Sequence, residues 1–179
     1  MVNTAALVEF NCADVFDELF CRYDAVLMSG GVSKGKYDHI PDVLKEKGVE
    51  IIFHRVKQRP GKPFLFGSRG DVKIFAFPGN PVSTIVGFKK YFEPWLLACM
   101  GSETAIPMVE LAEDVFFKPD LTYFAQASLK TIDGKLLVDV AHGNGSGDMV
   151  NMASVDGFVE LPRGKETFKR GERYPFLKL

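Results

Sequence analysis

Several things are scarce in this chain of 179 residues, and each scarcity removes a class of function. There are three cysteines, Cys12, Cys21 and Cys99, with no CxxC spacing and no paired pattern. That excludes a disulfide scaffold and a cysteine-based zinc module, and it predicts buried free thiols in a reducing compartment. The three histidines, His39, His54 and His142, stand far apart without metal-ligand spacing. No Ser/His/Asp or Cys/His arrangement is readable, so covalent catalysis has no support. No apolar run approaches the roughly 20 residues that span a bilayer. The start of the chain carries Glu9, Asp14, Asp17 and Glu18 where a signal peptide needs basic and then apolar residues. Net charge is −1, which argues against binding of bulk nucleic acid. A cytoplasmic globular protein without membrane or nucleic-acid partners is the expectation.

The charge that is present is unevenly placed. Between Met28 and Lys62, eight Lys/Arg face four acids, a net +4, so the remainder of the chain carries −5. A local basic field in a near-neutral chain points to a small anion rather than a polymer. The hydrophobic share of 46% with 25% charged residues is ordinary for one large domain or two small ones.

The most informative segment is Phe75-Ala76-Phe77-Pro78-Gly79-Asn80-Pro81-Val82. It reads as a buried strand stopping at a stiff turn, with an amphipathic helix under way two residues later. Proline on both sides of Gly-Asn fixes φ twice. In a parallel α/β sheet, ligands bind where strands end and helices begin, because unpaired N–H groups gather there. A second such place follows the apolar run Tyr23 to Met28, at Ser29-Gly30-Gly31-Val32-Ser33-Lys34-Gly35. A helix is predicted next, with Asp38 as N-cap, Pro41 in its first turn and Gly48 past its end.

The next strand is predicted over Val49 to Lys57, placing Arg55, Lys57 and Arg59 at period two on one face. Pro60-Gly61-Lys62-Pro63 breaks it. Phe64-Leu65-Phe66 and Val72 to Phe77 read as a hairpin-like pair, and Val82 to Met100 as a long helix bent at Pro94, with Tyr91, Phe92 and Trp95 packing inward. At the front, Val8, Val15, Phe16, Leu19 and Phe20 form a helical pattern. After Gly101 short β runs take over: Met108 to Ala112, Tyr123 to Lys130, Leu136 to Val140, Phe158 to Leu161 and Tyr174 to Leu179. Asp133-Gly134 is a hairpin signal between two of them.

Three strings, Ser29-Gly30-Gly31-Val32-Ser33 through Gly35 to Asp38, Pro60-Gly61-Lys62-Pro63, and Pro78-Gly79-Asn80-Pro81-Val82-Ser83, occur in this order with a β-rich tail behind them. From about Asp24 onward the chain thereby resembles the C-terminal half of the MoeA family of molybdopterin molybdenumtransferases, which includes the E domain of gephyrin. The resemblance implies an α/β fold: a partial three-layer α/β/α molybdopterin-binding-type domain over residues 1–103, then a small all-β barrel domain over 104–179. It implies molybdenum cofactor biosynthesis, in which molybdate enters adenylylated molybdopterin and AMP is released, with Mg2+ involved. Other implied partners are the molybdopterin adenylyltransferase of the same pathway and a second copy in a homodimer.

The same resemblance implies the site. Lys62, Arg59 and Asp38 would be catalytic, with Asp38 also the metal ligand. Ser29, Gly30, Gly31, Ser33, Arg55, Pro78, Gly79, Asn80, Pro81, Ser83 and, in the tail segment Gly145-Ser146-Gly147-Asp148, Ser146 would bind substrate. Arg55 and Arg59 stand where many members carry lysine, keeping charge with a different geometry. Gln126 stands near a position where the family usually has an arginine. The family's TGDEL-type motif and first two domains have no counterpart before Asp24, so the chain reads as an incomplete fragment, inactive alone. Two other readings remain: a non-catalytic scaffold of the same fold, or a molybdopterin adenylyltransferase, which would need no β tail. Molybdate and tungstate, alike in size and charge, are not distinguished.

Overall fold

The computed structural model describes residues 4–5, 14–33, 39–103, 105–141, 152 and 154–179. In chain order its elements are β1 (Thr4–Ala5), α1 (Asp14–Arg22), β2 (Ala25–Ser29), α2 (Ile40–Glu46), β3 (Glu50–His54), β4 (Gln58–Arg59), β5 (Leu65–Arg69) and β6 (Val72–Phe77). They continue with α3 (Pro81–Gly87), a π turn at Phe88–Phe92, α4 (Glu93–Cys99), β7 (Met108–Leu111), β8 (Val115–Phe116), β9 (Thr122–Ile132), β10 (Lys135–Val140), β11 (Gly157–Leu161), β12 (Thr167–Phe168) and β13 (Arg173–Lys178).

Five strands form one sheet in the order β1-β2-β6-β5-β3. β1, β2 and β6 run parallel, while β5 is antiparallel to both β6 and β3. Strand alternation divides the apolar residues between two faces. Val26, Met28, Ile74 and Ala76 pack with Phe16 and Phe20 of α1 and with Ile40 and Leu44 of α2. Their neighbours Ala25, Leu27, Phe75 and Phe77 face the other way, onto Tyr91, Phe92 and Trp95. The helices therefore cover both faces, the three-layer α/β/α arrangement expected of a sheet with apolar residues at every position. β1 was not anticipated, since the sequence pattern offered only a helix before β2.

The long helix is interrupted where proline demands it. Pro94 has no N–H to offer Lys90 and its ring crowds that carbonyl. The turn before it opens, and the Glu93 N–H bonds to the Phe88 carbonyl five residues back. Phe75 meets Trp95 at 5.3 Å and Phe92 at 5.3 Å between ring centroids.

The tail is a closed barrel. β10, β7, β13, β11 and β9 follow one another around it, and β10 pairs back to β9. Closure removes exposed strand edges. Val109, Leu111, Ala125, Ala127, Val138, Val159, Leu161 and Phe176 fill its interior. Asp133 and Gly134, at φ 50° and 76°, make the two-residue turn joining β9 to β10. β9 is eleven residues long, more than β10 needs. Along one edge Ala127–Ile132 pair with β10, and at the same edge's beginning Thr122 and Tyr123 pair in parallel with Gln58 and Arg59 of β4. A strand of the first unit is thus stitched onto the barrel. Val82 and Val86 of α3 pack with Phe124, Phe158 and Leu177 beside it.

Three expectations are corrected. β3 ends at His54 rather than Lys57, and Arg55 has φ 79°, which breaks the alternation that would align Arg55, Lys57 and Arg59 on one face. The N-cap of α2 is His39, not Asp38, and its side chain makes no cap hydrogen bond. Asp38 lies outside the described residues. Cys21 and Cys99 are free as expected but exposed, because both fall at the solvent ends of their helices; Cys12 lies outside the described residues.

Two predictions follow from this packing. A Cβ on Gly87 would lie 2.6 Å from Cδ1 of Phe77, a buried ring stacked on Phe64. Helix propensity alone favours alanine there by about 1 kcal/mol, but overpacking costs about 1–3 kcal/mol. Gly87→Ala should therefore lower the urea midpoint; a raised midpoint would show that Phe77 can yield. In the barrel, Glu172 accepts from Lys165 at 2.6 Å, the Tyr174 hydroxyl at 2.6 Å and the Lys169 N–H at 2.9 Å. Lys165 chiefly, then Tyr174 and Lys169, hold its carboxyl down at about 2, against an ordinary value near 4.5. A depressed carboxylate stabilises the fold above its unfolded pKa and loses that contribution as pH falls through the folded one. Melting temperature should fall between about pH 4.5 and 2, and Glu172→Gln should flatten that part of the curve.

Candidate functional site

Two loops meet because β2 and β6 lie side by side and in register, Ser29 opposite Phe77. The Gly30 N–H donates to the Phe77 carbonyl at 2.9 Å, carrying the pairing past the strand ends. Thr84 of α3 donates to the Pro78 carbonyl at 2.7 Å, and Ser29 Oγ lies 3.1 Å from Thr84 Oγ1 and 3.2 Å from the same carbonyl. Ser29 thus braces the Pro78 turn. Gly31, at φ 69°, admits Ile40 of α2: a Cβ there would be 2.4 Å from Ile40 Cγ1. His54 Nε2 lies 2.9 Å from the Val32 carbonyl and holds the far side of this loop.

Asn80 caps α3. Its Oδ1 accepts from the Ser83 N–H at 3.0 Å and from Ser83 Oγ at 3.2 Å, and Pro81 occupies the first helical turn. Ser83 is accordingly buried and turned onto its cap.

The third loop is folded by its own backbone. The Arg55 N–H bonds to the Phe64 carbonyl at 2.8 Å and the Val56 N–H to the Lys62 carbonyl at 2.9 Å, closing residues 55–64. At its base the Thr122 N–H donates to the Lys57 carbonyl at 2.9 Å, from the barrel side. The Arg59–Pro60 peptide is cis.

These loops enclose an open cleft of about 460 Å³. Of the residues singled out from sequence, Ser33, Arg59, Lys62, Pro78, Gly79, Asn80 and Ser83 line it. Ser29, Gly30, Gly31 and Pro81 build its walls from behind, and Arg55 lies outside the lining. Asp38 and Ser146 fall outside the described residues. Gln126 is half-buried in β9. The lining also includes Gln58 and Leu121, which pattern reading did not pick out; a glutamine inside a basic run carries no signal for burial.

The electrostatics are one-sided. Among the described residues no acid lines the cleft, and neither Arg59 nor Lys62 belongs to an ion pair. The Arg59 guanidinium lies 5.9 Å from the Phe117 ring centroid, an aromatic support from the barrel. Its charge also pulls the Tyr123 hydroxyl part of the way back from the upward shift that burial imposes. Such a site favours a compact anion able to accept several N–H bonds. For a metal it is poor: among the described residues no group of three or more His, Cys, Asp or Glu could hold one.

Asn80→Ala should cost about 1 kcal/mol, the usual worth of an N-cap, whereas Asn80→Asp, which keeps the acceptor, should be near neutral in urea denaturation. Equal losses would mean that the cap does not govern this turn.

Comparison with known proteins agrees with this geometry. Residues 12–98 match a family described as a probable molybdopterin binding domain, and residues 108–179 match the MoeA C-terminal region, domain IV. The molybdopterin molybdenumtransferase of Synechocystis sp. is 37% identical over 158 residues, covering 87% of this chain and 38% of that protein. The one from Bacillus subtilis is 30% identical over 159 residues, covering 86% and 36%. The chain thus spans well under half the length of these curated relatives. Among solved structures, a molybdopterin biosynthesis MoeA protein from Pyrococcus horikoshii superposes with a TM-score of 0.70 at 21% identity, over 96% of this chain and 39% of that one. A molybdenum cofactor biosynthesis protein from Pyrococcus furiosus gives 0.66 at 22%, over 91% and 52%. With its two segments matching in order and the α/β/α and barrel folds both in place, the chain belongs to the MoeA family.

Proposed function

We propose that the cleft binds a tetrahedral oxyanion, and that the chain serves the insertion of molybdate into adenylylated molybdopterin, with AMP as the second product. The observation that carries this is the pair of cations, Arg59 and Lys62, which among the described residues have no ion-pair partner and share a cleft whose described lining holds no acid. Molybdate and a phosphoryl group are both tetrahedral oxyanions, suited to fixed cations and convergent N–H donors. Arg59 offers a planar fork and Lys62 a compact point charge, so together they fit an oxyanion from two directions. Catalysis on this reading is positioning and electrostatic stabilisation, with no covalent step on the protein.

The remaining assignments belong to the same proposal. Ser33, Gly79 and Asn80 contact substrate from the opposite wall, with Ser29, Gly30, Gly31, Pro78, Pro81 and Ser83 shaping it and Arg55 adding charge from outside the lining. Asp38 serves in catalysis and Ser146 reaches the oxyanion from the tail. Mg2+ is the expected metal, and the described lining offers it no carboxylate. The domain division at residues 103 and 104 is supported by the gap between the matched segments 12–98 and 108–179. Partner proteins on this reading are a molybdopterin adenylyltransferase and a second copy of the chain. Among the described residues no helix is long and apolar enough to cross a membrane, and we place the protein in the cytoplasm.

The test is calorimetric titration with tungstate, which shares molybdate's size and charge, in the absence of adenylylated molybdopterin. Lys62→Ala and Arg59→Ala should each weaken binding by about 10- to 100-fold, the loss of a charge-assisted hydrogen bond. Thermal stability should stay unchanged, because both side chains are exposed. Wild-type affinity in both variants would remove these residues from the site. No binding by the wild type would favour the scaffold reading.

A further inference from the structure

We propose that Gln58 is a positioning residue of this cleft: wedged beneath the Pro60–Pro63 loop and oriented by Tyr91, it sets where Arg59 and Lys62 face. The proposal rests on the reading of those two cations as the oxyanion ligands.

Gln58 and Ser83 are the buried polar side chains among the described residues, and Gln58 is 3% exposed. Burying an amide is unfavourable unless its donor and acceptor are both engaged. Both are: Nε2 donates to the Pro60 carbonyl at 3.0 Å, and Oε1 accepts from the Tyr91 hydroxyl. The loop is shaped around this side chain. Gly61 sits at φ 90°, and a Cβ there would come within 2.8 Å of Gln58 Nε2. Gln58 is therefore the support on which the Pro60-Gly61 turn rests, two residues before that turn and four before Lys62.

Tyr91 decides which way the amide points. Burial chiefly, with Glu160 adding to it, pushes its hydroxyl up to about 12, so it stays protonated across the working range and can donate. A donor at that place selects the rotamer with Oε1 toward Tyr91 and Nε2 toward Pro60. Tyr91 is itself fixed by stacking on Phe64 at 4.6 Å between centroids, and its neighbour Lys90 pairs with Glu160 of β11 at 2.7 Å. The backbone of Gln58 and Arg59 is meanwhile paired to β9. The link thus joins the π turn, the loop and the barrel at a single amide.

The experiment uses the full chain as wild type, Gln58→Met, Tyr91→Phe and the double variant. Three readings are taken on each: tungstate affinity by calorimetry, amide exchange at Val56 and Phe64, whose N–H groups donate to the Lys62 and Gly61 carbonyls of the loop, and thermal midpoint. Each single variant should weaken tungstate by about 5- to 10-fold, the net worth of one hydrogen bond, and should speed exchange at Val56 and Phe64 while leaving Val138 in the barrel unchanged. The double variant should bind no more weakly than Gln58→Met alone, since both changes cut one link. Exchange that accelerates evenly over the whole chain would mark a merely structural residue and overturn the proposal, as would additive losses or unaltered affinity. If the wild type binds no tungstate, the oxyanion reading falls, and exchange at Val56 and Phe64 alone decides whether Gln58 holds the loop. Should Gln58→Met fail to fold, Tyr91→Phe, which removes one oxygen from a stacked ring, carries the test.

Discussion

Two residues of backbone pairing hold the cleft together. β4 is no more than Gln58 and Arg59, yet its parallel bonds to Thr122 and Tyr123 join the α/β unit to the barrel at the edge of the site. Everything on that wall inherits its position from this seam: Arg59 beside Tyr123 and Phe117, the Pro60–Pro63 turn above Gln58, and Leu121 at the rim. The opposite wall has a different origin, the register of β2 against β6, which brings the Ser29 and Pro78 loops together. The first wall depends on pairing between the α/β unit and the barrel, the second on neighbouring strands of one sheet. A site so divided needs both units docked, and the apolar contact of α3 with Phe124, Phe158 and Leu177 supplies that docking beside the seam.

How much of this could be read in advance varies from residue to residue. β6 and its turn were legible because each local signal agreed: an apolar run at every position, two prolines, an Asx cap and a helical period. The barrel strands and the Asp133-Gly134 turn were legible for the same reason, and the ordered motif strings identified the family. What failed to show was set by tertiary partners. A two-residue strand such as β4 or β12 has no period to detect, and its existence depends on an edge that another segment leaves open. Arg55 looked like the middle of a strand because period-two charge continues through it; its positive φ follows from closure of the loop against Phe64 and Lys62.

The candidate site divides in the same way. Arg59, Lys62 and the Pro78-Gly79-Asn80 turn were visible as residue types and motifs, and the folded chain brings them to one cleft. Ser29 and Ser83 looked like ligand hydroxyls, and the fold shows a structural part for each besides, since their bonds to Thr84 and Asn80 brace the loops. Gln58 was invisible for a physical reason: glutamine is usually solvated, and only the converging Tyr91 and Pro60 groups make burial here tolerable.

The π turn has a consequence for how this helix can vary. Each residue advances an α-helix by about 100°, so the wide turn at Phe88–Phe92 acts as one residue held in excess. Removing a single residue there would swing one half of the helix around its axis relative to the other. Trp95 would then leave Phe75, or Val82 and Val86 would leave the barrel. The residue count of this segment is thus a constraint separate from its side chains: the spacing between the barrel-facing and sheet-facing halves of the helix is written in length as well as in chemistry.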